Sequence, residues 1–121
     1  MSELPLIEVK AAPTFLKNLR KLAKKYRTIR NDIEAVIKQL ERGELQGNQI
    51  SGIDYAVFKL RVRNSDIQKG KSGGYRLIYY LKTERGIILL TIYAKSEQTD
   101  IAADDICNII TEYEKCKIED T

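Results

Sequence analysis

Apolar residues in the first third of the chain recur at the three- and four-residue spacing of an amphipathic helix. One stripe lies between residues 15 and 26, and a second lies between residues 28 and 42, where Gly43 is suited to end a helix. The stripes consist of Phe15, Leu19, Leu22, Ala23 and Tyr26, and of Ile29, Ile33, Val36, Ile37 and Leu40. The pattern predicts a helical hairpin, preceded by a short strand at residues 6–9.

From residue 58 onward the apolar residues alternate with cations, which is the period of a half-buried strand. Phe58, Leu60 and Val62 are the apolar members of this alternation. Residues 75–82 and 87–94 are rich in β-branched and aromatic residues and flank a tight turn, so they predict two more antiparallel strands. Residues 43–54 are predicted to form a loop. A final helix is predicted over residues 99–115, with Ala102, Ile106, Ile109, Ile110 and Tyr113 on one face.

The predicted order β-α-α-β-β-β-α belongs to the α+β class, with two helices packed on one face of a small antiparallel sheet. A length of 121 residues with 43% hydrophobic residues fits a single domain over residues 1–121, with a polar tail from about residue 116. No apolar run is long enough to span a bilayer, and residues 1–10 lack the pattern of a signal peptide. We therefore expect a cytoplasmic protein with no membrane partner.

Strand alternation predicts that the face of the sheet turned away from the two helices is cationic. The core side is expected to hold Leu77, Tyr79 and Leu81 of one strand and Ile88, Leu90, Ile92 and Ala94 of the next. The opposite, uncovered face then gathers Lys59, Arg61, Arg63, Arg76, Tyr80, Tyr93 and Lys95. A glycine-rich segment bearing Lys69 and Lys71 adjoins this face at one edge.

Charge is distributed unevenly along the chain. Residues 1–96 hold 19 Lys/Arg and 9 Asp/Glu, whereas residues 97–121 hold 2 and 8. A basic body of this kind favours a polyanionic partner, and lysine, arginine and tyrosine together suit RNA phosphates and bases. A solubilising surface is the alternative. The acidic end either forms a solvated helix face or folds back onto the basic body.

Several classes of site are disfavoured by composition. The chain has no histidine, and its two cysteines, Cys107 and Cys116, match no zinc-binding spacing. We therefore expect no metal and no cofactor.

The stretches Phe58-Lys-Leu-Arg-Val-Arg, Lys69-Gly-Lys-Ser-Gly-Gly-Tyr-Arg-Leu-Ile-Tyr-Tyr and Leu90-Thr-Ile-Tyr-Ala-Lys-Ser-Glu resemble the RelE/ParE superfamily of bacterial type II toxins. The second stretch is most similar to the RelE-like HigB branch. The resemblance covers about residues 6–110. It implies a small β-α-α-β-β-β(-α) fold and a cognate antitoxin, with an oligomeric state above monomer in the complex. For RelE and HigB members it also implies mRNA cleavage in the ribosomal A site.

The resemblance further implies metal-free chemistry, in which the ribose 2′-OH attacks the adjacent phosphate and cations stabilise the transition state. By position, Lys59 and Arg61 match the basic residues that RelE carries on its first meander strand, and Arg76 matches its Gly-Tyr-Arg arginine. The arginine and the tyrosine that follow the last strand in RelE are replaced by Ser96 and Ala102. The resemblance therefore does not supply a general base.

We predict three catalytic residues: Arg76 for transition-state binding, and Lys71 and Lys95 for proton transfer, because neighbouring cations lower the pKa of a lysine. The residues predicted to bind RNA are Lys59, Arg61, Arg63, Lys69 and Tyr93.

Two other functions remain open from the sequence. One is a ParE-like toxin that inhibits DNA gyrase through protein binding, which the departures at Ser96 and Ala102 favour. The other is a nucleic-acid-binding module without chemistry. The dense basic face favours the nuclease. In each toxin hypothesis the antitoxin is expected to present acidic side chains to the basic face or to displace the C-terminal helix.

Overall fold

A computed structural model of the chain describes residues 6–65 and 74–119, with side chains described as far as Lys115. Its elements are β1 Glu8–Ala11, α1 Pro13–Lys25, α2 Ile29–Glu41, β2 Asn48–Gln49, β3 Val57–Val62, β4 Tyr75–Thr83, β5 Gly86–Ala94 and α3 Ala103–Glu119. The predicted α+β class and element order are confirmed, with the short strand β2 added inside the predicted loop. Helix α3 begins four residues later than predicted and continues four residues past its predicted end.

The five strands form one sheet in the order β1-β5-β4-β3-β2. Strands β2 to β5 pair antiparallel, but β1 pairs parallel to β5, with Glu8 opposite Gly86 and Ala11 opposite Leu89. The sheet is therefore mixed, and the prediction of a wholly antiparallel sheet was wrong. The reason is connectivity, since β1 runs directly into α1 and a long connection separates it from β5, as parallel pairing requires.

Helices α1 and α2 pack on one face of the sheet and enclose the larger core. Both predicted stripes are confirmed: Phe15, Leu19 and Leu22 of α1 and Ile29, Ile33 and Leu40 of α2 are buried there. From the sheet this core receives Leu60, Val62, Leu77 and Tyr79, as strand alternation predicted. Within the described ranges, no helix combines the length and the apolar character needed to cross a membrane.

Helix α3 packs on the other face of the sheet, so the prediction that this face is uncovered was wrong. Ile106 and Ile110 of α3 form a second core with Val57 and Ile78 of the sheet, and Tyr93 joins them. The C-terminal half of α3 is also tied to β4, because Lys82 Nζ donates a hydrogen bond to Glu114 Oε1 at 2.9 Å. Since α3 covers only part of the face, the cationic site is confined to the part that remains.

Strand β5 contains an irregularity that changes which of its residues face which core. Ile78 is paired with Thr91 and Tyr79 with Leu89, so Leu90 is an extra residue in β5. The side chains of Ile88 and Leu90 consequently lie in the second core, and their predicted place in the first was wrong. Beyond the irregularity Ile92 returns to the first core, as predicted.

Candidate RNA-binding and catalytic site

A row of polar side chains crosses the three central strands on the face that α3 only partly covers. Arg61 of β3 lies directly opposite Arg76 of β4, and Arg76 lies opposite Tyr93 of β5. Side chains of like charge that face each other across an antiparallel pair are destabilising. The fold therefore places two arginines opposite each other on neighbouring strands, at the cost of a like-charge pair.

The arginines of this site differ in exposure. The side chains of Arg61 and Arg63 are exposed, and no acid in the described part of the chain lies within ion-pair distance of either. Arg76 is half-buried, and its Nη1 donates a hydrogen bond to the Tyr75 carbonyl at 3.2 Å. Arg76 is thus held against the sheet, whereas Arg61 and Arg63 extend toward solvent.

Lys59 lies on the same face as Arg61, and it is ion-paired with Asp100 in the loop that leads into α3. The Lys59 Nζ to Asp100 Oδ1 distance is 3.0 Å, and Asp100 Oδ1 also accepts a hydrogen bond from the Ile101 amide at 2.8 Å. The hydrogen bond from Lys59 and that from Ile101 lower the pKa of the Asp100 carboxyl group. Asp100 was not predicted from the sequence, because it lies in the acidic end of the chain, whose acids were interpreted together as one group.

Lys95 is positioned by its backbone. Its amide donates a hydrogen bond to the Gly74 carbonyl at 3.0 Å, which places the end of β5 beside the start of β4. Its Nζ donates to the Thr99 carbonyl at 3.3 Å, and its charge helps to lower the pKa of Asp100. Lys95 therefore lies near a backbone carbonyl and a carboxylate. Ser96 and Ala102 are both exposed in the loop after β5.

The segment with Lys69 and Lys71 lies outside the described residues, but the two described residues that flank it, Ser65 and Gly74, are held by contacts. On one side, the Ser65 amide and hydroxyl donate to Asp32 at the start of α2, at 3.0 and 2.8 Å. On the other side, Gly74 has φ +58°, and a Cβ there would clash with the Val62 carbonyl oxygen. Only glycine fits this approach, so Gly74 is held against Val62, two residues before Arg76.

Tyr93 is buried beneath α3, with 6% of its surface exposed. Its ring is packed in the second core, so in this conformation the predicted stacking on an RNA base is blocked. Its Oη is buried and has no hydrogen-bond partner among the described residues. Burial raises the pKa of the phenol, while the charges of Lys59 and Arg76 oppose that rise. Tyr80 lies on the same face, as predicted, and is packed under α3 near Glu114.

The acidic end of the chain folds back onto the basic body, which was one of the two predicted arrangements. Among its described side chains, three carboxylates pair with lysines of the body, in the pairs Glu97–Lys25, Asp100–Lys59 and Glu114–Lys82, at 2.6, 3.0 and 2.9 Å. Of these three pairs, only Asp100–Lys59 involves a lysine predicted to bind RNA.

Two comparisons with known proteins bear on this site. The family model of the RelE toxin of the RelE/RelB toxin–antitoxin system matches residues 15–118. Among solved structures, a mutant of the E. coli toxin RelE in its free state has a similar fold, with a TM-score of 0.50 and 17% sequence identity. That alignment covers 91% of this chain and 96% of the other. The second comparison extends to the fold alone.

Proposed function

The chain belongs to the RelE toxin family and is a toxin of a toxin–antitoxin system, and from this premise we propose that it is a ribosome-dependent mRNA endonuclease that inhibits translation. The observation that carries the proposal is the pair Arg61 and Arg76, which face each other across β3 and β4. Two arginines opposite each other on paired strands can contact an RNA phosphate through charge-assisted hydrogen bonds.

The proposed reaction uses the RNA as its own nucleophile. A new bond forms between the ribose 2′ oxygen and the adjacent phosphorus, and the bond from phosphorus to the 5′ oxygen breaks. The products are a 2′,3′-cyclic phosphate and a 5′-hydroxyl. One proton leaves the 2′-OH and one reaches the departing oxygen. Negative charge grows on the phosphate oxygens in the transition state, and we assign its stabilisation to Arg76.

The remaining roles follow from position and charge. Lys59, Arg61 and Arg63 hold the RNA backbone, and Lys69 extends this contact from the basic segment. Lys95 and Lys71 transfer protons. Because these groups are few, the ribosome supplies much of the orientation by holding the mRNA against the site.

The proposed partner outside the ribosome is the cognate antitoxin. Its acidic side chains compete with RNA for the arginines, or its chain displaces α3 from the second core. Either contact makes the toxin–antitoxin complex larger than a monomer.

The test is primer extension on a defined mRNA in a purified translation system. Wild type is compared with Arg76→Ala, and Arg85→Ala is the matched control because Arg85 lies in the turn between β4 and β5. We expect cuts within translated codons for wild type and Arg85→Ala, and a loss of at least about a hundredfold for Arg76→Ala, the size of one lost oxyanion contact. Omitting ribosomes should abolish the cuts.

One result would overturn the nuclease. If wild type is folded and stops growth but cuts no mRNA, the target is a protein, and gyrase inhibition of the ParE type becomes the function to test.

A further inference from the structure

Among the described acids, Asp100 alone forms an ion pair with a lysine that we propose binds RNA. Its carboxylate is held from two sides, by Lys59 at 3.0 Å and by the Ile101 amide at 2.8 Å. Gln98 Nε2 donates to the Asp100 carbonyl at 2.9 Å, which further fixes this part of the loop. The carboxylate therefore occupies a defined position in front of Lys59.

The exposure of the two partners indicates which of them can leave. The side chain of Asp100 is 66% exposed, whereas that of Lys59 is 34% exposed and rises from a central strand. Exposed ion pairs of this kind contribute little stability, so the pair opens at small cost. The ammonium group stays on the sheet beside Arg61 when the carboxylate turns away.

We infer that the Asp100 carboxylate stands in for an RNA phosphate on Lys59 in the free toxin and must leave when RNA binds. The inference rests on the proposed function in taking RNA as the ligand. A carboxylate and a phosphate both offer anionic oxygens to an ammonium group, so they compete for it. Asp100 thus weakens RNA binding by the free toxin and makes Lys59 available only to a phosphate that displaces it.

An alternative role for Asp100 is that of the general base that takes the proton from the 2′-OH. The surrounding contacts oppose it, since the oxygen that accepts from Lys59 also accepts from Ile101. Both hydrogen bonds stabilise the anion and reduce its tendency to take up a proton.

The experiment measures binding of a short, fluorescein-labelled, single-stranded 2′-O-methyl RNA, which lacks the nucleophile and cannot be cut. The variants are Asp100→Asn, Lys59→Met and the double variant. The matched control is Glu97→Gln, which removes one negative charge from the same loop where it pairs with Lys25. Asparagine keeps the oxygen that accepts from Ile101.

We expect Asp100→Asn to tighten binding roughly two- to fivefold, the range given by releasing a surface ion pair. The dependence of log affinity on log salt should steepen by about 0.7, the value of one added phosphate contact on single-stranded RNA. In the Lys59→Met background, Asp100→Asn should tighten RNA binding no more than Glu97→Gln does.

Three outcomes would overturn the inference. They are unchanged or weaker binding by Asp100→Asn, an equal gain with and without Lys59, and no binding by any variant. A loss of mRNA cutting by Asp100→Asn without tighter binding would make Asp100 a catalytic base instead. If binding responds as expected while wild type cuts no mRNA, the inference stands and the proposed nuclease fails.

Discussion

The Lys95 amide donates a hydrogen bond to the Gly74 carbonyl at 3.0 Å, and this contact joins the end of β5 to the start of β4 beside Arg76. It depends on a backbone conformation, φ +58°, that residues other than glycine rarely adopt. The same glycine lies against the Val62 carbonyl of β3. One residue therefore sets the spacing of three strands at the cationic site.

Gly74→Ala is expected to destabilise the protein by more than about 2 kcal/mol, because it adds a steric clash to the cost of a positive φ. The matched control is Gly43→Ala, where φ is +88° but nothing lies within 4 Å of an added Cβ. The control should lose only about 1 kcal/mol. Urea unfolding of the two variants measures both losses in the free energy of unfolding. Equal losses would mean that the approach to Val62 relaxes freely.

Arg61 offers a substitution that should separate stability from activity. Arg61→Gln removes the repulsion with Arg76, so the free energy of unfolding should hold or rise by a few tenths of a kcal/mol at low salt. High salt should remove the difference. Cutting of mRNA should fall about tenfold, because one phosphate contact is lost. Thermal unfolding at two salt concentrations, with Arg85→Gln as control, checks this. A destabilised Arg61→Gln would contradict it.

Sequence patterns predicted the helical hairpin and the core side of β3 and β4, because in those elements the apolar period is unambiguous. They failed in β5. Residues 87–90 are Ile-Ile-Leu-Leu, a run without alternation, so nothing in it marks Leu90 as an extra residue. Only pairing with β4 reveals the irregularity.

The site was predictable in its cations but not in their surroundings. Alternation placed Lys59, Arg61 and Arg76 on one face, as the register confirms. The apolar stripe of α3 was also predicted, but a stripe does not state which surface covers it. Packing of α3 on the second face buries Tyr93 and brings Asp100 to Lys59, and both results depend on tertiary contacts.

Because of Tyr79, the fold should lose stability at alkaline pH. This tyrosine is fully buried, and its Oη donates to the Gln46 carbonyl at 2.6 Å. Burial raises its pKa from 10.0 to about 12. The unfolded chain therefore loses this proton first, so the stability that the phenol contributes is complete below about pH 10 and is lost as the pH rises toward 12.

The matched comparison for this effect is Tyr79→Phe. At about pH 8 the variant should be less stable by about 1 kcal/mol, the value of one hydrogen bond. At about pH 11 the gap should shrink, because only wild type carries the ionising phenol. Urea unfolding at both pH values measures the gap. A gap that is constant or grows would show that Tyr79 does not set the alkaline limit.

Removing the Tyr93 hydroxyl should raise the stability of the fold and lower its activity. The Oη of Tyr93 is buried without a partner among the described residues, and a buried hydroxyl in that state is unfavourable. Tyr93→Phe should therefore raise the free energy of unfolding by about 1 kcal/mol. If this hydroxyl contacts RNA once α3 moves, cutting of mRNA should fall about tenfold in the same variant.

The control for Tyr93→Phe is Tyr80→Phe. Tyr80 is also packed under α3, but it lies away from the arginines. Its substitution should leave cutting unchanged, because its surroundings are Tyr55 and Glu114 rather than the cationic row. Thermal unfolding and primer extension on both variants complete the comparison. A Tyr93→Phe protein that is less stable than wild type would mean that Oη has a hydrogen-bond partner in solution. Unchanged cutting by that variant would remove the hydroxyl from the proposed RNA site and leave Tyr93 as a packing residue beneath α3.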